Sequence, residues 1–266
     1  MKQVRVIVLS GYGLNCDHET AYSFESIGAK ADRVHINDLS SGKCKLNDYD
    51  ILVFTGGFSW GDDHGAGVLQ ALRMKKYLTD DIKRFVDRGR LIIGICNGFQ
   101  TLVNLGILPG LDQKWERNVA LLHNDCGNFR NDWVKLQINK KTPCIFTKDI
   151  DYIELPVRHG EGKFFAESTT LKKLIENNQV VMQYASDQNN LANLNFPENP
   201  NGSLHDIAGI CDPTGHIFGL MPHPEAFNQL ANHPQWTRFK NDSAKIPKYT
   251  GIALFERAIN YIQDAL

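Results

Sequence analysis

The apolar positions of the N-terminal half come in short runs separated by longer amphipathic stretches. VRVIVLS is β-branched and stops at Gly11, which predicts a buried parallel strand. A helix is expected from about Glu19 to Ile27, stopped by Gly28. DILVFTGG predicts a second buried strand ending in paired glycines. VLQALRMKKYLTDDIKRFVDRG reads as one helix: Leu72, Ile82, Phe85 and Val86 are apolar among charges, and Gly89 marks its stop. RLIIGIC is a third strand, and GFQTLVNLG is a helix leaving it. Strand and helix alternate, so the fold class expected is α/β. The sheet should be doubly wound, mostly parallel and flanked by helices.

The pattern changes from about residue 118 to 184. DWVKLQI alternates polar and apolar positions, as an antiparallel or edge strand does. IELPVRHGEGKFF is interrupted by Pro156 and two glycines and reads as strand, loop, strand. These segments predict an antiparallel extension of the sheet. SDQNNLANLNFPENPNGSLHD is rich in Asn, Pro and Gly and is expected to be mostly loop. IAGICD and HIFGLMP then predict a hairpin across Pro213–Gly215. The closing helix, at about 251–264, sets Ile252, Phe255, Ile259 and Ile262 on one face. No repeat or linker stands out. The expectation is one domain over residues 1–266, with a C-terminal insert at about 228–250.

Composition narrows the picture by exclusion. With 29 basic and 30 acidic residues the formal charge is -1, so charge gives no case for a nucleic-acid partner or a membrane surface. The first apolar run is too short for a signal peptide, and no run approaches membrane-spanning length. Six scattered cysteines include no C-x-x-C pair, which argues against a disulfide framework or a structural zinc site. His123, Asp125 and Cys126 lack a second ligand pair at useful spacing, so no metal is expected. A cytoplasmic protein with reduced thiols is expected.

One cysteine departs from the default of a packed thiol. In LIIGICNGFQ the apolar run stops at Cys96, flanked at two-residue spacing by Gly94 and Gly98. G-x-C-x-G has the form of the strand-to-helix elbow of G-x-S-x-G hydrolases, where small neighbours permit a tight turn. Such an elbow places the thiol at a helix N-terminus, whose dipole favours thiolate. The Asn97 amide would then face an oxyanion formed there. Among nine histidines, His223 in GLMPHPEAF ends an apolar strand-like run, and Glu225 lies two residues on, on the same side of an extended backbone. Cys96, His223 and Glu225 thus read as nucleophile, base and orienting carboxylate. TGGFSWGDD alone reads as a turn. Beside the elbow in a doubly wound sheet, its Gly57 amide becomes a second oxyanion donor.

GICNGFQ, GGFSWGD and MPHPE together resemble class I (triad-type) glutamine amidotransferases. SGYGLNCDHE, NLGILPG, HGEGKF and NPNGSLHDIAGICDPTGHIFGLMPHPE narrow the resemblance. They are similar to the PurQ-type glutaminase components of phosphoribosylformylglycinamidine synthase, in purine biosynthesis. The resemblance runs from the first strand to about Phe227. It implies that Cys96 attacks the glutamine side-chain amide, with the oxyanion held by the amides of Gly57 and Asn97. His223 would protonate the leaving ammonia and then activate water, supported by Glu225. Gly56 and Gln100 match positions at the substrate, and His159, Gly160 and Glu161 lie in the segment that clamps the α-amino and carboxylate ends of glutamine. The resemblance implies no cofactor in this subunit. ATP with magnesium would be used by a PurL-type synthetase partner, accompanied by a small PurS-type subunit.

Three positions depart from the pattern. Trp60 replaces a common tyrosine, Arg158 a usual small residue, and Ala226 a frequent arginine. Competing readings are a glutaminase serving another synthase, a free-standing cysteine hydrolase of the DJ-1/PfpI type, and a non-catalytic subunit. The intact Cys96, His223 and Glu225 weigh against the last, and Gln100 and the HPE segment against the hydrolase.

Overall fold

The parallel strands expected from the N-terminal apolar runs lie side by side in one sheet. The structure is a computed structural model describing residues 3–111, 115–186, 188, 190–239 and 246–265. The N-terminal half runs β1 (Arg5–Ser10), α1 (Asp17–Glu25), β2 (Lys30–His35), α2 (Ile36–Ser40), β3 (Ile51–Phe54), α3 (Val68–Tyr77), α4 (Thr79–Asp87), β4 (Leu91–Ile95) and α5 (Asn97–Leu105). It continues with β5 (Val119–His123), β6 (Arg130–Ile138), β7 (Tyr152–His159), β8 (Glu161–Ala166), α6 (Ser168–Glu176) and β9 (Val180–Ala185). The last elements are β10 (Ile207–Cys211), β11 (Ile217–Leu220), α7 (Trp236–Phe239) and α8 (Ile252–Ala265).

Nine strands form the main sheet in the order β2-β1-β3-β4-β11-β10-β9-β6-β7, and β5 pairs with β8 in a second, two-stranded sheet. β2, β1, β3, β4 and β11 are mutually parallel. From β10 onward the pairing is antiparallel, which is the extension that the alternating middle segment implied. The β10–β11 hairpin forms across the expected turn, where the Gly215 N–H donates to the Asp212 carbonyl at 3.1 Å.

Three local expectations need correction. The long helix after β3 is two helices, broken at Leu78 (φ -130°, ψ 6°). Leu78 itself is buried at the break, and Asp80 and Asp81 fill the first turn of α4, where the helix dipole favours acid. Leu72 does not face the core; α3 buries Gln70, Ala71 and Met74 instead. Pro156 does not interrupt its strand either. It lies within β7, which is the sheet edge, where a missing N–H leaves no ladder partner unmet.

The core is continuous on both sides of the parallel strands. β3 and β4 are buried at every position, and Phe99 and Leu102 from α5 pack beneath them. α8 lays Ile252, Phe255, Ile259 and Ile262 inward as its periodicity predicts, with Phe255 4.5 Å from Phe24 of α1. Each such side chain contributes roughly 1.5–3 kcal/mol by leaving water. Among the described residues no helix is long and apolar enough to cross a membrane.

Candidate active site

Cys96 joins β4 to α5 with φ 51° and ψ -106°, a left-handed conformation that a cysteine adopts only when its surroundings impose it. The sequence around it explains the turn. Its N–H donates to the Leu220 carbonyl of β11 at 2.8 Å, and its carbonyl accepts from the Gln100 N–H at 3.0 Å to start the helix. Gly98 lets that helix lie against β3, since a Cβ there would stand 1.9 Å from the Phe54 carbonyl oxygen. The thiol is buried and points towards the end of β7, 3.7 Å from the Arg158 carbonyl oxygen.

The strand beside β4 delivers the histidine. Leu220 of β11 pairs in register with Ile95, so three residues later His223 stands at the same carboxyl edge as Cys96. Its backbone is held by an N–H bond to the Pro156 carbonyl at 2.8 Å. His223 Nδ1 lies 2.6 Å from Glu225 Oε1, with both side chains buried. Burial opposes the imidazolium most strongly. The charges of Glu225 and Cys96 and the contact with Cys16 outweigh it and raise the pKa well above its ordinary value of 6.5. His223 Nε2 makes no hydrogen bond among the described residues.

Gly57 follows β3 in the adjacent strand-to-helix segment. Its φ of +141° and its close approach to the Gly13 carbonyl, 2.7 Å from a built Cβ, admit only glycine. Asn97 is the first residue of α5, so its N–H has no acceptor within the helix. Gln100 is buried one turn from Cys96; its Nε2 donates to the Glu161 carbonyl at 2.5 Å, and its Oε1 accepts from Asn97 Nδ2 at 3.3 Å. His159 ends β7 and is buried, with its Nε2 facing the Asn201 Nδ2 at 3.0 Å. Burial, and then the charge of His223, push the His159 pKa down to about 3. The Gly160 carbonyl accepts from the Asn124 N–H, and Glu161 Oε2 from the Ala66 N–H at 3.3 Å. Gly56 lies against the histidine, a built Cβ falling 2.8 Å from His223 Cε1.

The structure adds groups whose part in the site no motif announced. Asp62 Oδ1 accepts from Asn97 Nδ2 at 2.8 Å, and burial with the Glu161 charge raises its pKa to about 6 against the Asn97 bond. The signal was present as a carboxylate within GGFSWGDD, the segment expected to border the elbow. Asn201 and Tyr184 back His159 through Asn201 Nδ2 at 3.0 Å to each, a contact between a loop and the strands β7 and β9 that no local pattern announces. Cys16 Sγ lies 4.0 Å from His223 Nδ1. His123, Asp125 and Cys126 turn to Glu161, Lys163 and the Asn128 carbonyl and do not converge. Trp60 stacks on Tyr12 at 4.3 Å, while Arg158 points its side chain to solvent.

The C-terminal insert also has a seat. His233 Nε2 lies 2.9 Å from Glu154 Oε2 of β7, and the ring packs among Trp133, Phe227 and Phe239. Residues 240–245 of the insert lie outside the described residues.

With this geometry in place, the comparisons fall on one family. A sequence model of the CobB/CobQ-like glutamine amidotransferase domain matches residues 3–262. A phosphoribosylformylglycinamidine synthase subunit PurQ of Methanococcus maripaludis is 46% identical over 266 residues, covering 97% of both chains. The PurQ subunit of Dehalococcoides mccartyi is 45% identical over 89% of this chain and 90% of its own. Among solved structures, PurLQS from Thermotoga maritima has a chain that superposes with a TM-score of 0.71 at 28% identity, covering 98% of this chain and all of that one.

Proposed function

The chain belongs to the CobB/CobQ-like glutamine amidotransferase family, with PurQ subunits as its relatives, and from that premise we propose that it is the glutaminase subunit of phosphoribosylformylglycinamidine synthase. It hydrolyses L-glutamine and passes the ammonia to an ATP-dependent, PurL-type synthetase, assembled with a PurS-type subunit as in the PurLQS relative. The synthetase, using ATP and magnesium, converts formylglycinamide ribonucleotide to formylglycinamidine ribonucleotide. A cytoplasmic location belongs to the same reading. The observation that carries the mechanism is the buried His223–Glu225 pair, 2.6 Å apart, at the elbow that bears Cys96.

The raised pKa of His223 makes it a strong acceptor for the proton that Cys96 gives up as it attacks as thiolate. The thiolate attacks the glutamine carboxamide carbon, and the C=O π electrons move onto oxygen. The amides of Gly57 and Asn97 hold that oxyanion, each such donor being worth roughly 10²–10³ in rate. As the tetrahedral intermediate collapses, His223 Nε2 gives its proton to the departing nitrogen, the C–N bond breaks, and ammonia leaves a γ-glutamyl thioester. Water then attacks, with its proton taken by His223 Nε2. The second intermediate expels the Cys96 thiolate and releases glutamate. Glu225 holds Nδ1–H throughout, fixing the tautomer and supporting the imidazolium. Gln100 and the segment His159, Gly160 and Glu161, with Gly56, line the place for glutamine. No step in this subunit calls for a cofactor.

Reconstitution with the synthetase tests the reading. Cys96→Ala is expected to abolish glutamine-dependent synthesis and leave ammonia-dependent synthesis intact. Glutamine use at the wild-type rate by this variant would overturn the mechanism.

A further inference from the structure

Cys16 takes no part in the chemistry above, yet the residue is buried and its thiol sits beside the imidazole that carries the proton, 4.0 Å from His223 Nδ1. The turn between β1 and α1 holds it there, because the N–H groups of Asn15 and Cys16 both reach the Gly56 carbonyl at 3.3 Å. Gly56 presents no side chain to either group. A Cβ there would stand 2.8 Å from His223 Cε1 and 3.1 Å from Cys16 Sγ. Glu225 closes the group: its Oε1 is on His223 Nδ1, and its Oε2, wholly buried, has no hydrogen-bond partner among the described residues. One donor atom from each of Cys16, His223 and Glu225 lies within 4.8 Å of the others, and no other such group converges among the described residues.

We propose that Cys16 Sγ, His223 Nδ1 and a Glu225 carboxylate oxygen form an inhibitory site for a borderline-soft divalent cation of the zinc class. A thiolate, an imidazole and a carboxylate make a donor set that suits zinc and disfavours magnesium or calcium, which take oxygen ligands. Zinc bonds of about 2.0–2.3 Å place tetrahedral donors roughly 3.5 Å apart. The sulfur and nitrogen, 4.0 Å apart, need to close by about half an ångström. The carboxylate needs to swing off its 2.6 Å contact and can offer its unpartnered oxygen. The fourth position is left to water.

The consequence follows from the ring's two nitrogens and rests on the reading of His223 as the proton carrier. Metal on Nδ1 takes the lone pair that the orienting proton occupies and breaks the Nδ1–H bond to Glu225. The remaining ring proton is then fixed on Nε2, where it blocks transfer from the thiol and from water. Cys96 is not a ligand, so the nucleophile stays in place while its base is disabled. Removal of the metal by a chelator restores the pair.

The test has two arms. In the reconstituted synthase, Zn²⁺ is expected to inhibit glutamine-dependent synthesis reversibly and to spare ammonia-dependent synthesis. Cys16→Ser, with Cys16→Ala as the second variant, should need at least about tenfold more Zn²⁺, the cost of losing even an outer-shell partner at such sites. Equal sensitivity of wild type and both Cys16 variants, or equal inhibition of the ammonia reaction, overturns the proposal. In the full-length chain, Co²⁺ titrated into Cys96→Ser should develop a near-ultraviolet thiolate-to-metal band that the double variant Cys16→Ser/Cys96→Ser lacks. Absence of that band in Cys96→Ser, or its survival in the double variant, also overturns it. A failure of the glutaminase reading shows separately, as lack of glutamine-dependent synthesis in metal-free wild type, and leaves the cobalt titration interpretable.

Discussion

His223 Nδ1 and Glu225 Oε1 meet at 2.6 Å inside the protein, where neither side chain has water to fall back on. A carboxylate in that position makes the imidazolium the favoured form in spite of burial. Glu225→Gln keeps the shape and removes the charge. It should lower kcat with glutamine by roughly 10²-fold or more, within the range that proton-transfer groups supply. It should also slow alkylation of Cys96 by iodoacetamide at pH 7, because His223 becomes a weaker acceptor for the thiol proton. The raised His223 pKa sets the stability effect: the pair's contribution is complete below the ordinary value of 6.5 and is lost as pH rises through the folded value. The urea midpoints of wild type and Glu225→Gln should therefore converge on going alkaline. An unchanged alkylation rate in the variant would show that Glu225 does not support the ion pair.

Asp62 is the opposite kind of group, a carboxyl whose charge the fold disfavours. Its pKa is raised from 3.8 to about 6 by burial and by Glu161. Protonation of Asp62 therefore stabilises the fold below pH 3.8, and that contribution disappears as pH rises through about 6. Asp62→Asn retains an acceptor for Asn97 Nδ2 without the charge. Its Tm should exceed that of wild type by roughly 2 °C at pH 7.5, with the gap closing towards pH 4. Thermal melts across that range check it, and a gap that grows on acidification would reverse the assignment.

Glycine positions separate packing from contact with substrate. At Gly98 a Cβ would collide with the Phe54 carbonyl at 1.9 Å, a backbone atom that cannot turn away. Gly98→Ala should cost about 3 kcal/mol or more, or prevent folding. At Gly160 the nearest atom to a built Cβ is Phe129 Cδ2 at 4.0 Å. Gly160→Ala should fold with wild-type stability and raise KM for glutamine if substrate passes there. Urea unfolding of both variants, followed by glutamine titration of Gly160→Ala, gives the two readings independently.

The elements that the sequence made legible are those whose signal is local. Buried parallel strands such as β3 and β4 read as apolar runs, and the elbow was marked by Gly94 and Gly98 on either side of Cys96. His223 and Glu225 were legible together because two extended residues share a side, and they do meet. β2 gave no such signal, since KADRVH lies at the sheet edge and buries only Val34, its other positions being partly or fully exposed. The same edge effect at β7 made Pro156 look like an interruption. The parts that Asp62, Asn201 and Tyr184 play in the site were not legible because they come from partners 17 to 42 residues away, fixed only by the tertiary fold.

Among the described residues, His233 ties the insert after Phe227 to the antiparallel extension. His233 is 4% exposed, hydrogen-bonded to Glu154 and enclosed by the rings of Trp133, Phe227 and Phe239. Truncation leaves a cavity among three aromatic rings and a carboxylate without this partner. His233→Ala should therefore destabilise the chain by roughly 2–4 kcal/mol. His233→Gln, which can still donate to Glu154, should recover part of that loss. Because the site at Cys96 is built from β4, α5 and the turn after β11, the loss should appear first as proteolytic cleavage between about residues 228 and 250. Limited trypsin digestion with mass mapping checks the order of events. Cleavage that begins in the Cys96 elbow instead would show that the insert and the active site unfold as one unit.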